Sequence, residues 1–173
     1  MVEPVNLFAA PDVAAILKEN KWLIGDANER QLAWCARAAI LLGSHVPDRA
    51  GLANLLELVF QYDARVILQT TDAHVVMSRY AARDVLRQLA LHLLDGAPLT
   101  SERFSEIITQ LKAGLDIRGR ELFHPIRLAL AGRFGEGELD RVILLLEDAA
   151  AAGFAVPVKV ARERILEFCS TFE

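Results

Sequence analysis

Apolar residues recur with helical spacing along almost the whole chain, and polar, glycine or proline breaks divide them into about eight segments. The first helix spans 12–19, opened by Pro11-Asp12 and ending near Asn20, with Trp22, Leu23 and Ile24 as an apolar anchor behind it. Asp26 is placed to cap a helix over 27–42, and Gly43 stands where a left-handed C-terminal turn prefers glycine. Leu32, Cys35, Ala36, Ala39, Ile40 and Leu42 would form its buried face. Pro47-Asp48 opens the next helix, through Leu52, Leu55, Leu56, Val59 and Phe60. Val66-Ile67-Leu68 is short and β-branched, which leaves strand and helix both open. Asp72 is the expected cap of a helix through His74 to Leu94, stopped by Gly96 and Pro98. Thr100 caps 101–115, with Phe104, Ile107, Ile108 and Leu111 facing inward.

The stretch 119–146 reads as a short apolar helix, a glycine-rich elbow and a second helix. Leu122, Phe123, Ile126, Leu128 and Leu130 give the first its apolar surface, and Pro125 is compatible with a first turn. Gly132, Gly135 and Gly137 imply unusual dihedrals or a close backbone approach at the elbow, with Arg127 and Arg133 on either side. Such a bend can grip a polyanion, and plain helix-hairpin packing has the same pattern. The second helix, 138–152, is so apolar from Val142 to Leu146 that it belongs at the centre. Gly153 ends it, and Pro157 opens a last amphipathic helix through Val160, Ile165, Leu166 and Phe168. The expected fold is all-α, a bundle or curved array of about eight helices with its seam at Gly96-Ala97-Pro98.

The composition agrees: 53% of the 173 residues are hydrophobic, which suits a helical protein with a real core. No apolar run is long enough to span a membrane, and Met1-Val2-Glu3-Pro4 lacks the basic start of a signal peptide. The cytoplasm is the expected compartment. Cys35 and Cys169 read as separate buried thiols, with a single disulfide as the alternative.

A formal charge of −4 argues against indiscriminate nucleic-acid binding, but the charges are unevenly spread. Residues 79–133 carry 9 basic and 6 acidic side chains between two net-negative flanks. Arg79, Arg83 and Arg87 fall four residues apart, one basic stripe on one helix face. That stripe could lie along a phosphate backbone, or be a surface stripe flanked by Asp84 and paired locally. Catalytic patterns are missing: His45, His74, His92 and His124 have no metal-ligand spacing, and there is no Cys-x-x-Cys, phosphate loop, dinucleotide fingerprint or nucleophile elbow. No cofactor is expected.

The string Leu122-Phe123-His124-Pro125-Ile126-Arg127-Leu128-Ala129-Leu130-Ala131-Gly132-Arg133 resembles the Leu-Phe-x-Pro-Leu-Arg-x-Ala-Leu-Thr-Gly segment near the end of bacterial glutamyl-tRNA synthetases. In that family a Gly-Pro-x-Leu turn and a Leu-Leu-Gly helix follow. Here the turn is Glu136-Gly137-Glu138-Leu139 and the helix carries Leu145-Leu146-Glu147. Upstream, 55–63 resembles the segment that closes the family's first anticodon-binding subdomain. The resemblance implies a free-standing, non-catalytic homologue of the anticodon-binding region, with 1–80 as a shortened first helical subdomain and 81–173 as the second. The family's His-Ile-Gly-His-like and Lys-Met-Ser-Lys-Ser-like catalytic motifs are absent, Val76-Met77-Ser78-Arg79 being only a superficial match.

Carried over by position, the resemblance implies that His124 and Arg127 face the anticodon and that the loop around Glu136, Gly137 and Leu139 closes on it. An arginine that checks the third anticodon base falls near Arg49. Arg127 would donate to an extruded base or phosphate, Arg133 would neutralise backbone, and Arg79, Arg83 and Arg87 would steer. The implied partner is a glutamate or glutamine tRNA. The loop carboxylates Glu136, Glu138 and Asp140 work against phosphate. They favour the alternative, a protein–protein module that has lost RNA binding and partners a synthetase or an amidotransferase.

Overall fold

The computed structural model describes residues 6–173; the Met1-Val2-Glu3-Pro4 stretch lies outside the described residues. Every regular element among them is helical. α1 (Ala10–Glu19) and α2 (Glu29–Leu42) pack side by side, and a single 3₁₀ turn, Gly43–His45, leads to α3 (Arg49–Phe60). Two short helices follow, α4 (Ala64–Leu68) and α5 (Thr71–Met77), then α6 (Ala82–Leu93) and α7 (Ser101–Leu115). The chain closes with α8 (Arg120–Ala131), α9 (Gly137–Leu144), α10 (Leu146–Ala151) and α11 (Ala161–Phe172).

The expected all-α class holds, but the described residues form eleven α-helices rather than about eight. The open segment at Val66 became α4, and two expected long helices are each broken in two. The first break, at Ser78–Ala81, occurs where the Ser78 hydroxyl donates back to the Val75 carbonyl and Arg79 turns toward α8. The second is at Leu145, whose N–H tightens onto the Val142 carbonyl while its own carbonyl accepts the Trp34 indole N–H at 3.0 Å.

Several local signals work as read. Asp48 accepts from the Gly51 N–H and Thr100 from the Arg103 N–H, so both are true N-caps, and Phe104, Ile107, Ile108 and Leu111 are buried. Others shift. Asn28, not Asp26, caps α2, exchanging hydrogen bonds with Gln31, and Thr70, not Asp72, caps α5. Gly43 is right-handed; it is needed because a Cβ there would sit 2.1 Å from the Asn6 side-chain oxygen. The α2 face is also rotated from the expected one. Trp34 and Ala38 are buried, and Ile40 is 68% exposed.

One hydrophobic core runs from Val13 to Phe168, so the expected units 1–80 and 81–173 share their interior. Trp22 stacks on Phe60 at 5.0 Å, and Trp34 and Phe60 both meet Phe154 edge-on. That aromatic cluster ties the N-terminal helices to the α10–α11 connection, where Ala155 N–H donates to the Trp22 carbonyl.

The strongest cross-tie is Arg164 on α11, which is fully buried. Its guanidinium donates to the carbonyls of Leu58 and Val59 at the end of α3, Leu130 near the end of α8, and Lys159. The C-terminal turns of two helices thus receive a cation where their dipoles and unpaired carbonyls need one. Burial pushes its pKa down to about 10, still a cation at neutral pH, and the Tyr62 ring covers its charge at 4.7 Å. Both thiols are free, and burial pushes Cys35 up to about 11. Among the described residues no helix is long and apolar enough to cross a membrane.

Candidate nucleic-acid interface

α8 is the wall of the elbow. It begins at Arg120, after Gly119, so Pro125 lies inside the helix rather than in its first turn. The missing proline N–H leaves only a first-turn carbonyl without its usual helical donor, which the helix tolerates. Gly132 ends α8 in the left-handed region, φ 93°, and its N–H closes onto the Leu128 carbonyl. Gly135 serves a different need: a Cβ there would come 3.0 Å from Leu139, which is buried under the loop. Gly137 opens α9 with free space around it, so neither expected glycine constraint applies there.

Arg127 is where the structure departs most from the expectation. Its Nε and Nη2 donate to the two carboxylate oxygens of Asp140 at 2.8 and 2.9 Å, and Nη1 donates to the Gly135 carbonyl at 2.7 Å. The Phe123 ring lies 4.7 Å from the guanidinium, whose side chain is only 11% exposed. This fork binds α8 to α9 and the loop between them. It also turns Asp140 inward, so one of the three loop carboxylates no longer faces a ligand; Glu136 is exposed and Glu138 half-buried.

His124 is buried as well, one turn earlier on α8. Arg79 Nη1 donates to its Nδ1 at 2.8 Å, which requires that nitrogen to be unprotonated. Phe134 from the elbow packs on the imidazole, ring centroids 4.6 Å apart. Burial and the nearby charges of Arg79, Arg120 and Arg127 hold the His124 pKa below its ordinary value. A neutral imidazole therefore sits among guanidiniums, with Arg120 exposed, Arg79 half-buried and Arg127 buried.

The expected Arg79, Arg83, Arg87 stripe does not form, because the break at Ser78–Ala81 separates Arg79 from α6. Arg79 goes to α8. Arg83 and Arg87 instead line a cleft against the end of α11, Arg83 over the Phe172 ring at 4.9 Å. Arg49 opens α3 with a two-bond grip on Glu19, at 2.8 and 2.7 Å. Sequence reasoning passed over Tyr80, fully exposed in the α5–α6 break, and over Arg120 and Phe134. An aromatic beside a glycine elbow and one between arginines were the available signals. Among the described residues no three acidic, histidine or cysteine side chains cluster as a metal site would need.

The described residues thus form an all-α domain with a helix-elbow-helix braced by a buried arginine and a guanidinium cluster beside it. The chain belongs to the anticodon binding domain family, whose model matches residues 21–147. It is similar to Glutamate--tRNA ligase 2 of Syntrophus aciditrophicus, 28% identical over 122 residues, 70% of this chain and 24% of that protein. Similar matches are Glutamate--tRNA ligase of Carboxydothermus hydrogenoformans, 27% identical over 66% of this chain and 22% of the ligase, and that of Geobacillus stearothermophilus, 27% over 72% and 25%. The chain thus spans about a quarter of the length of the curated relatives it matches. No solved structure matches it.

Proposed function

We propose that this domain is a non-catalytic binder of tRNA, of the glutamate or glutamine type, acting in the cytoplasm. The observation that carries the reading is the cluster of Arg79, Arg120 and Arg127 around neutral His124, on a fold of the anticodon-binding family. Exposed Arg120 and Arg133, and the open aromatic Tyr80 that follows Arg79 in the chain, suit single-stranded RNA, where phosphates take the charge and unstacked bases take the flat surfaces. Arg127 is the brace of the elbow in this reading, and Leu139 is its buried anchor. Glu136 and Gly137 form the exposed lip.

Filter binding of the purified protein to glutamate and glutamine tRNAs at low salt tests it. Salt-dependent binding is expected, and Arg79→Ala and Arg120→Ala should each lower the salt slope by about 1. Absence of binding at low salt overturns the reading. A second reading, a protein–protein module that partners a synthetase or an amidotransferase, is favoured by one observation. Arg127 and Arg49, two of the arginines carried over from the family pattern, are both occupied by carboxylates of this chain. It requires stable co-purification with a protein and no salt-dependent RNA affinity.

A further inference from the structure

The α6–α11 cleft is separate from the elbow and has a composition of its own. It has a volume of 270 Å³, with Met77, Leu86, Cys169 and Phe172 supplying apolar surface, and Arg83, Arg87 and the single side-chain carboxylate of Glu173 on its walls. Neither arginine enters an ion pair or side-chain hydrogen bond among the described residues. Both guanidiniums are thus available at the edge of an apolar recess. Arg83 lies over the Phe172 ring at 4.9 Å and is exposed, so its guanidinium can take a second ring on its other side. A second cleft of 420 Å³ shares Met77, Arg83 and Phe172 and continues toward His74, Ser78 and Thr171.

We propose that this cleft binds a nucleotide, its base stacked on the Arg83–Phe172 plate and its phosphate on Arg87. Volume and charge select that class together. A recess just below the usual range of about 300–1,000 Å³ holds one ring system rather than a long acyl chain. Two guanidiniums against the one side-chain carboxylate of Glu173 leave the cleft net positive, which suits an anion, and arginine planes are among the surfaces on which unstacked bases settle. The adjoining cleft beyond Arg83 offers room for a neighbouring nucleotide. The ligand is therefore either a free mononucleotide or two consecutive nucleotides of a single-stranded RNA. The site shares no residue with the Arg79, Arg120 and Arg127 cluster, so it stands or falls apart from the tRNA reading.

The protein contains two methionines, Met1 and Met77, so methyl-labelled methionine gives one resonance inside this cleft. Titration with AMP and with an unstructured tetranucleotide, at millimolar concentration, should shift the Met77 methyl saturably, as base ring currents require. A larger affinity for the tetranucleotide identifies RNA as the source, and equal affinities identify the mononucleotide. Arg87→Ala should weaken binding about tenfold, the worth of one charged hydrogen-bonded contact. Arg83→Lys should keep the phosphate dependence and lose the base dependence. A Met77 methyl unmoved by both ligands overturns the site. So does a shift reproduced by inorganic phosphate alone, or one unchanged in the Arg83→Ala, Arg87→Ala double variant.

Discussion

Replacing Asp140 by alanine tests the central geometric finding, that Arg127 is a brace between α8 and α9. The substitution removes two charge-assisted hydrogen bonds and leaves a guanidinium 11% exposed with only the Gly135 carbonyl and the Phe123 ring for company. An exposed pair would contribute at most about 1 kcal/mol. Breaking a fully buried pair costs about 3–5 kcal/mol. With the carboxylate 24% exposed and two Arg127 contacts retained, the expected loss is about 2 kcal/mol. For a chain of this length that lowers Tm by about 4–8 °C. Thermal unfolding followed by far-UV circular dichroism measures it. The Arg127→Met, Asp140→Leu double variant should recover most of the loss, because it leaves no buried charge alone. Asp140→Ala unfolding within about 0.5 kcal/mol of the parent, the range of ordinary surface changes, would refute the brace. Retained stability in Arg127→Ala together with abolished tRNA binding would refute it too and restore Arg127 as an RNA donor.

Other substitutions probe the same physics elsewhere. Arg164→Met should cost about 3–5 kcal/mol in urea unfolding, since four carbonyls at the ends of α3 and α8 and before α11 lose their donor in the interior. An effect no larger than that of a surface change would mean that those carbonyls find water. His124 is held below its ordinary value of 6.5, so its neutral form is the one the fold favours. Its contribution is complete above the unfolded value and declines as pH falls from about 6.5 toward the folded one, when a proton must enter among Arg79, Arg120 and Arg127 with only Glu136 to offset it. Melting temperatures should therefore drop between about pH 7 and about pH 5.5 in the parent and less so in His124→Gln. Identical profiles would remove His124 from this role.

Much of the fold was legible because its determinants are local. Thr100 and Asp48 cap their own helices within three residues, and the inward set of α7 repeats at helical spacing in sequence. The elbow was legible too, since Gly132 must leave the right-handed region wherever α8 packs. Which of its side chains stay free was not. Nothing in the spacing of Arg127 distinguishes a guanidinium pointing at solvent from one pointing at Asp140, thirteen residues further on. The same holds for Trp34, whose hydrogen-bond partner is the Leu145 carbonyl 111 residues away and whose burial rotates all of α2.

The chain's own pattern of caps, glycines and apolar periods determined an all-α architecture and marked 119–146 as its distinctive segment, because each of those signals acts within one or two helical turns. Which arginines remain available was decided by packing alone. A guanidinium on a long flexible tether takes the nearest carboxylate, carbonyl or ring that the neighbouring helices bring to it. Arg127 and Arg164 met such partners inside the protein, Arg79 met a histidine, and Arg83 and Arg87 met a cleft.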